Sequence, residues 1–211
     1  MPARLRLTFA VVTSLVVVAL AGVVLFGGGS SDDGADASPG QAAGGPDPTG
    51  FHGALRPPGA RAVDFSLKDQ DGKVVTMRDY RGREVVLTFL YSTCEDTCPL
   101  TAQQIRGALD QLGDDVPVLA VSVDPPNDDA FRAKNFLVKQ QMSGRMRFLL
   151  GSRAQLEPVW KAYGIQPQGE GFEHSASTVV IDDEGVQRVG FLTDQLTPEG
   201  LAHDLRKLGA S

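Results

Sequence analysis

Apolar and polar positions along this chain change period several times, and each change marks an element. The run LTFAVVTSLVVVALAGVVLF, Leu7 to Phe26, carries no charge. As a helix it would reach roughly 30 Å, the thickness of a bilayer core, so a membrane span is expected there. From Gly27 to about Arg56 the pattern dissolves into GGGSSDDGADASPGQAAGGPDPTGFHGALR. That stretch reads as a flexible tether, with His52 as a solvated linker residue. The pattern returns near Pro58. VDFSLKDQDGKVVTM predicts a hairpin around Asp71-Gly72, MRDYRG a short helical turn, and REVVLTFLYS a strand buried on both faces. Pro99 opens a helix with Ala102, Ile105, Leu109 and Leu112 on one face. VPVLAVSVD predicts a second buried strand, PPNDDAFRAKNFLVKQQ a capped helix and RMRFLLG a third strand. SRAQLEPVWKAYG predicts a helix with Trp160 and Tyr163 in the core, STVVIDDEGVQRVGFL a hairpin turning at Glu184-Gly185, and TPEGLAHDLRKLG a closing helix. The expected organisation is an anchor or signal peptide over residues 1–27, a linker over 28–57 and one α/β domain over 58–211.

Strand, helix, strand, helix, then a β-hairpin and a last helix is the order of a thioredoxin-like domain with an N-terminal β-hairpin. Such a domain keeps its active site at the end of the first central strand and the start of the next helix, where Cys94 and Cys98 fall. Charge narrows the partners. The chain carries −6, and from Pro57 onward 17 Lys and Arg stand against 22 Asp and Glu, with no basic run to suggest nucleic acid. Arg4 and Arg6 precede the apolar run and acids follow it, so the positive-inside rule places the N-terminus in the cytoplasm and the domain outside. The expected location is the cell membrane, single-pass, with the C-terminal domain on the extracytoplasmic side. A cleaved signal peptide ending near Ala19-Leu20-Ala21 is the alternative; either way the domain is exported.

Export makes a structural disulfide the simplest reading of the two cysteines, although a four-residue spacing closes too small a loop to stabilise much by chain entropy. A redox couple and a metal clamp are the other readings. Cys98, placed as the cap of the helix that Pro99 begins, would face free backbone N–H groups that favour its thiolate. Glu95 and Asp96 would raise a neighbouring thiol pKa and favour a bound cation. Leu87 and Tyr91 occupy the Pro and Thr/Ser positions of a peroxiredoxin pattern, which gives thiol peroxidase chemistry little support. The segment FEHSASTVV carries His174 where a disulfide exchanger has its proline. In a thioredoxin-like fold this loop lies against the cysteine helix, so two thiolates and one imidazole converge, a set that suits copper, with zinc the competing metal. His203, beside Asp204, reads as a surface residue.

Cys94-Glu95-Asp96-Thr97-Cys98-Pro99, Ser122-Val123-Asp124-Pro125 and Glu173-His174-Ser175-Ala176, together with the N-terminal anchor, resemble the Sco/SenC proteins over about Pro58 to Leu208. The resemblance implies a membrane-tethered, thioredoxin-fold copper protein that helps to assemble the dicopper centre of cytochrome c oxidase subunit II. It implies Cys94, Cys98 and His174 as copper ligands, and Asp124 as an acidic residue near the site; Glu173 stands where the family commonly has Asp. A thiol reductant or copper donor protein is the further implied partner. A thiol-disulfide oxidoreductase that keeps the oxidase subunit's cysteines reduced is the alternative function, with Cys94 attacking first.

Overall fold

The computed structural model describes residues 48–113, 116–169 and 177–209. Its centre is β4 (Val85–Leu90), all six of whose residues are buried. Alternate side chains enter two cores: Val86 and Leu90 face one, Val85, Leu87 and Phe89 the other. A strand covered on both faces needs the near-continuous apolar run that VVLTFL supplies.

Six strands form the main sheet in the order β1-β8-β7-β4-β5-β6. β5 (Val118–Ser122) lies parallel to β4, and β6 (Met146–Leu149) parallel to β5. β7 (Ser177–Ile181) and β8 (Gln187–Leu192) form the late hairpin, with β7 antiparallel to β4. Its turn contains Gly185 at φ +77, a left-handed position that glycine adopts without strain. One face is covered by α1 (Thr97–Leu112), α2 (Ala130–Lys139) and α4 (Pro198–Gly209). The other carries α3 (Arg153–Tyr163) and the separate hairpin of β2 (Ser66–Lys68) and β3 (Val74–Thr76), followed by a 3-10 turn over Met77–Tyr80. Trp160 and Tyr163 lie in this second core, as their helical spacing predicts.

Two expectations change. The tether was expected to run to residue 57, but its last part belongs to the domain. Phe51 is buried, and β1 (Ala54–Leu55) pairs antiparallel with β8. This strand is only two residues long, with both side chains exposed, so periodicity does not reveal it; it exists because β8 offers an unpaired edge. His52 is correspondingly not a solvated linker residue: its backbone N–H donates to Asp204. The cysteine helix starts at Thr97 rather than Pro99, with Asp96 as its N-cap residue. Among the described residues no helix is long and apolar enough to cross a membrane. The expected span from Leu7 to Phe26 lies outside them.

Candidate metal centre

β4 ends at Leu90, and the chain turns through Tyr91–Thr93 to reach Cys94 before α1 begins. Both cysteines are free thiols. Cys98 occupies the second position of α1 and is 1% exposed, while Cys94 in the loop is 8% exposed. Cys94 opens onto a cleft of about 300 Å³ whose walls include Ser92, Glu95, Arg132, Phe136 and Lys139. The accessible sulfur is therefore the one nearer the strand.

The helix terminus acts on Cys94, the reverse of the sequence expectation for Cys98. The Cys98 backbone N–H donates to Cys94 Sγ at 3.3 Å, and the Thr97 hydroxyl lies 3.7 Å from the same sulfur. The Cys98 thiol, first among these donors, together with the backbone N–H groups of Cys98 and Asp96, lowers the Cys94 pKa to about 4 against the opposing effect of burial. Cys98 shifts the other way: donating its proton to Cys94, and buried, it is held well above the ordinary thiol range. The pair thus keeps one proton between two sulfurs. Glu95 and Asp96 are exposed, and of the two only the Asp96 backbone N–H contributes to the acidity of Cys94, behind the Cys98 thiol and N–H.

Asp124 sits just past β5, 7% exposed, and its carboxylate accepts from Asn127 Nδ2 at 2.9 and 3.1 Å. The Asp124 carbonyl accepts the N–H groups of Asn127 and Asp128. Its described contacts close its own turn and do not reach the cysteines. His174 and Glu173 lie outside the described residues, and among the described residues no cluster of three or more His, Cys, Asp or Glu side chains is placed to hold a metal.

Asp128 is the residue that sequence reasoning missed. Its half-buried carboxylate accepts the Ser92 N–H at 2.7 Å, the Ser92 hydroxyl at 2.5 Å and the Ser122 hydroxyl at 2.5 Å. Burial raises its pKa. The carboxylate ties the cysteine loop, two residues before Cys94, to the end of β5, where the Ser122 carbonyl also accepts the Trp160 indole N–H at 2.9 Å. The available signal was a pair of acids, Asp128-Asp129, ahead of one helix. Only Asp129 caps α2, by accepting from Arg132 N, which leaves Asp128 free to turn inward.

A reduced, asymmetric dithiol at the mouth of a thioredoxin-like sheet defines a class: dithiol domains that exchange either electrons or a soft metal ion through one site. The family model described as SCO1/SenC matches residues 54–210, and the chain belongs to that family. It is 30% identical over 131 residues to the SCO1 protein homolog of Bacillus subtilis, covering 57% of this chain and 68% of that protein. It is also 33% identical over 132 residues to alkyl hydroperoxide reductase E of Mycobacterium tuberculosis, covering 62% of this chain and 81% of that protein. The fold matches the copper-bound structure of Bradyrhizobium japonicum ScoI with a TM-score of 0.61 and 30% identity, over 71% of this chain and 99% of that one. BsSco, described as a member of the Sco family of cytochrome c oxidase assembly proteins with a disulfide switch, matches with a TM-score of 0.64. At 23% identity, over 74% of this chain and 97% of that one, it shows the fold alone.

Proposed function

We propose that this protein is a membrane-tethered, extracytoplasmic copper chaperone that carries one copper ion on Cys94, Cys98 and His174 and passes it to the dicopper centre of cytochrome c oxidase subunit II. The observation that carries the reading is the pair of free thiols brought together at the start of α1, with the Cys98 N–H donating to Cys94 Sγ at 3.3 Å and the Cys98 thiol donating its proton to the same sulfur. A soft cation that takes both sulfurs replaces that proton, so loading releases it. Copper is the cargo that a ScoI structure at 30% identity contains. His174, on the chain leading into β7, supplies the imidazole, and a thiol reductant or copper donor protein keeps the pair reduced or loads it. Oxidation would remove the remaining proton and two electrons, join the sulfurs and abolish the ligand set, so redox state gates loading.

The test is a copper titration of the reduced full chain beside Cys94→Ser, Cys98→Ser and His174→Ala. One equivalent bound tightly, weakened by each substitution, is the expected result. A second reading is favoured by the unequal acidity of the thiols: Cys94 as nucleophile and Cys98 as resolving thiol would reduce disulfides of the oxidase subunit. Copper binding indifferent to His174→Ala, with disulfide exchange intact in that variant, would favour this second reading and overturn the first.

A further inference from the structure

We propose that His52 and His203 form a second metal site, separate from the cysteine pair, that takes a divalent late transition ion and fastens the segment before β1 to α4. The two histidines are 151 residues apart in sequence, yet their ring centroids lie 4.8 Å apart with planes at 75°. Two imidazoles bound side by side to one ion, at about 2.0–2.1 Å per metal–nitrogen bond, have ring centres roughly 5 Å apart. The observed separation matches that spacing.

A buried carboxylate orients one of the rings. Asp204, fully buried, accepts the backbone N–H of His52 at 2.9 and 3.1 Å and that of Gly53 at 2.9 Å. His203 Nδ1 lies 3.0 Å from the same carboxylate. Facing an acceptor already committed to two amides, Nδ1 carries the proton and Nε2 keeps its lone pair. A carboxylate behind a histidine in this way is the usual outer support of a metal-binding imidazole. Neither His203 Nε2 nor the ring nitrogens of His52 have a hydrogen-bond partner among the described residues. Gly200, one turn before His203, provides the room: a Cβ there would lie 3.1 Å from the Cβ of His52.

Two side chains do not make a closed cage, and water completes the coordination; the His203 side chain is 44% exposed, which admits it. Such a site binds reversibly, and imidazole nitrogen suits Cu(II), Zn(II) and Ni(II) better than Cu(I). Its effect is mechanical. His52 belongs to the segment that Lys207 also holds, through the carbonyls of Thr49 and Gly50 and the ring of Phe51. An ion shared by His52 and His203 adds a crosslink between that segment and the last helix.

The experiment uses the full chain carrying Cys94→Ser and Cys98→Ser, which silences the thiols and separates this proposal from the copper-chaperone reading. Cu(II) alone is titrated, followed by electron paramagnetic resonance. One equivalent with nitrogen coordination is expected, lost in His52→Gln and in His203→Gln and retained in His174→Ala. Zn(II) alone is expected to raise the melting temperature in the parent and not in either variant; at free metal one hundred times the dissociation constant the folding constant rises about 100-fold. Equal melting of His52→Gln and parent without metal shows that the fold is intact; His52 is the safer variant because its described hydrogen bonds to Asp204 come from its backbone and survive the substitution. Absence of binding, binding unchanged by His52→Gln, or binding that depends on His174 would overturn the proposal.

Discussion

The backbone N–H of Cys98 points at the sulfur of Cys94 from 3.3 Å. A helix terminus offers N–H groups without intrahelical partners; here one of them is spent on the sulfur just outside the helix, while Cys98 within it supplies its S–H to the same atom. One sulfur is thereby made anionic and accessible, the other neutral and buried. The chemistry of the site follows from that division.

Alkylation with iodoacetamide reads it directly. In the reduced full chain Cys94 is expected to react first, at a rate that is flat around neutral pH and falls with an apparent pKa near 4. Cys98→Ala removes the largest donor and is expected to move that value upward. A midpoint near that of a free thiol, about 8.5, in the parent chain would contradict the assignment.

The same shift makes stability depend on pH. Cys94 is lowered from 9.0 to about 4 on folding, so between those values the unfolded chain binds more protons than the folded one. Its contribution is fully present above about 9 and lost as pH falls through about 4. Urea denaturation of the reduced protein and of Cys94→Ala is expected to show the parent gaining stability on the variant as pH rises through this window. A difference independent of pH would mean that the thiolate is not favoured by folding.

Most of this fold was legible because its signals are local. The apolar run of β4, the spacing of Ala102, Ile105 and Leu109 on α1 and the turn at Gly185 each depend on a few adjacent residues, and all three recur in the structure. Features set by distant partners were not legible. β1 exists only because β8 leaves an edge, and His52 looked like linker because its partner, Asp204, is 152 positions away. The site divides likewise. The Cys94–Cys98 spacing was visible, but the direction of activation was not, since it depends on whether the helix begins at Thr97 or Pro99.

Asp128 tests whether the loop carrying Cys94 is held from below. Asp128→Ala would leave the Ser92 amide and two serine hydroxyls without their acceptor, at a cost of about 2–4 kcal/mol in chemical denaturation. Asp128→Asn keeps an acceptor and is expected to lose less. Because burial raises the Asp128 pKa, its ionised form weighs against the fold, and the Asn variant is expected to compare more favourably at neutral pH than at pH 4. Equal losses for Ala and Asn would show that an acceptor at this position does not hold the loop.

Asp204 makes the sharpest demand on the segment that precedes β1. It accepts from two consecutive backbone amides, and those of His52 and Gly53 have no strand partner, because the pairing with β8 begins only at Ala54. Asp204→Ala would leave both donors unsatisfied, the Gly53 donor in a buried position, for an expected loss of about 2–4 kcal/mol. The loss is local. Amide hydrogen exchange of residues 51–55 is expected to accelerate far more than that of β4 or β5, while the alkylation rate of Cys94 stays unchanged, since the carboxylate takes no part in the cysteine hydrogen bonds. If residues 51–55 remain protected in Asp204→Ala, the sheet edge and the Lys207 contacts hold the segment by themselves, and the carboxylate's role is confined to orienting His203.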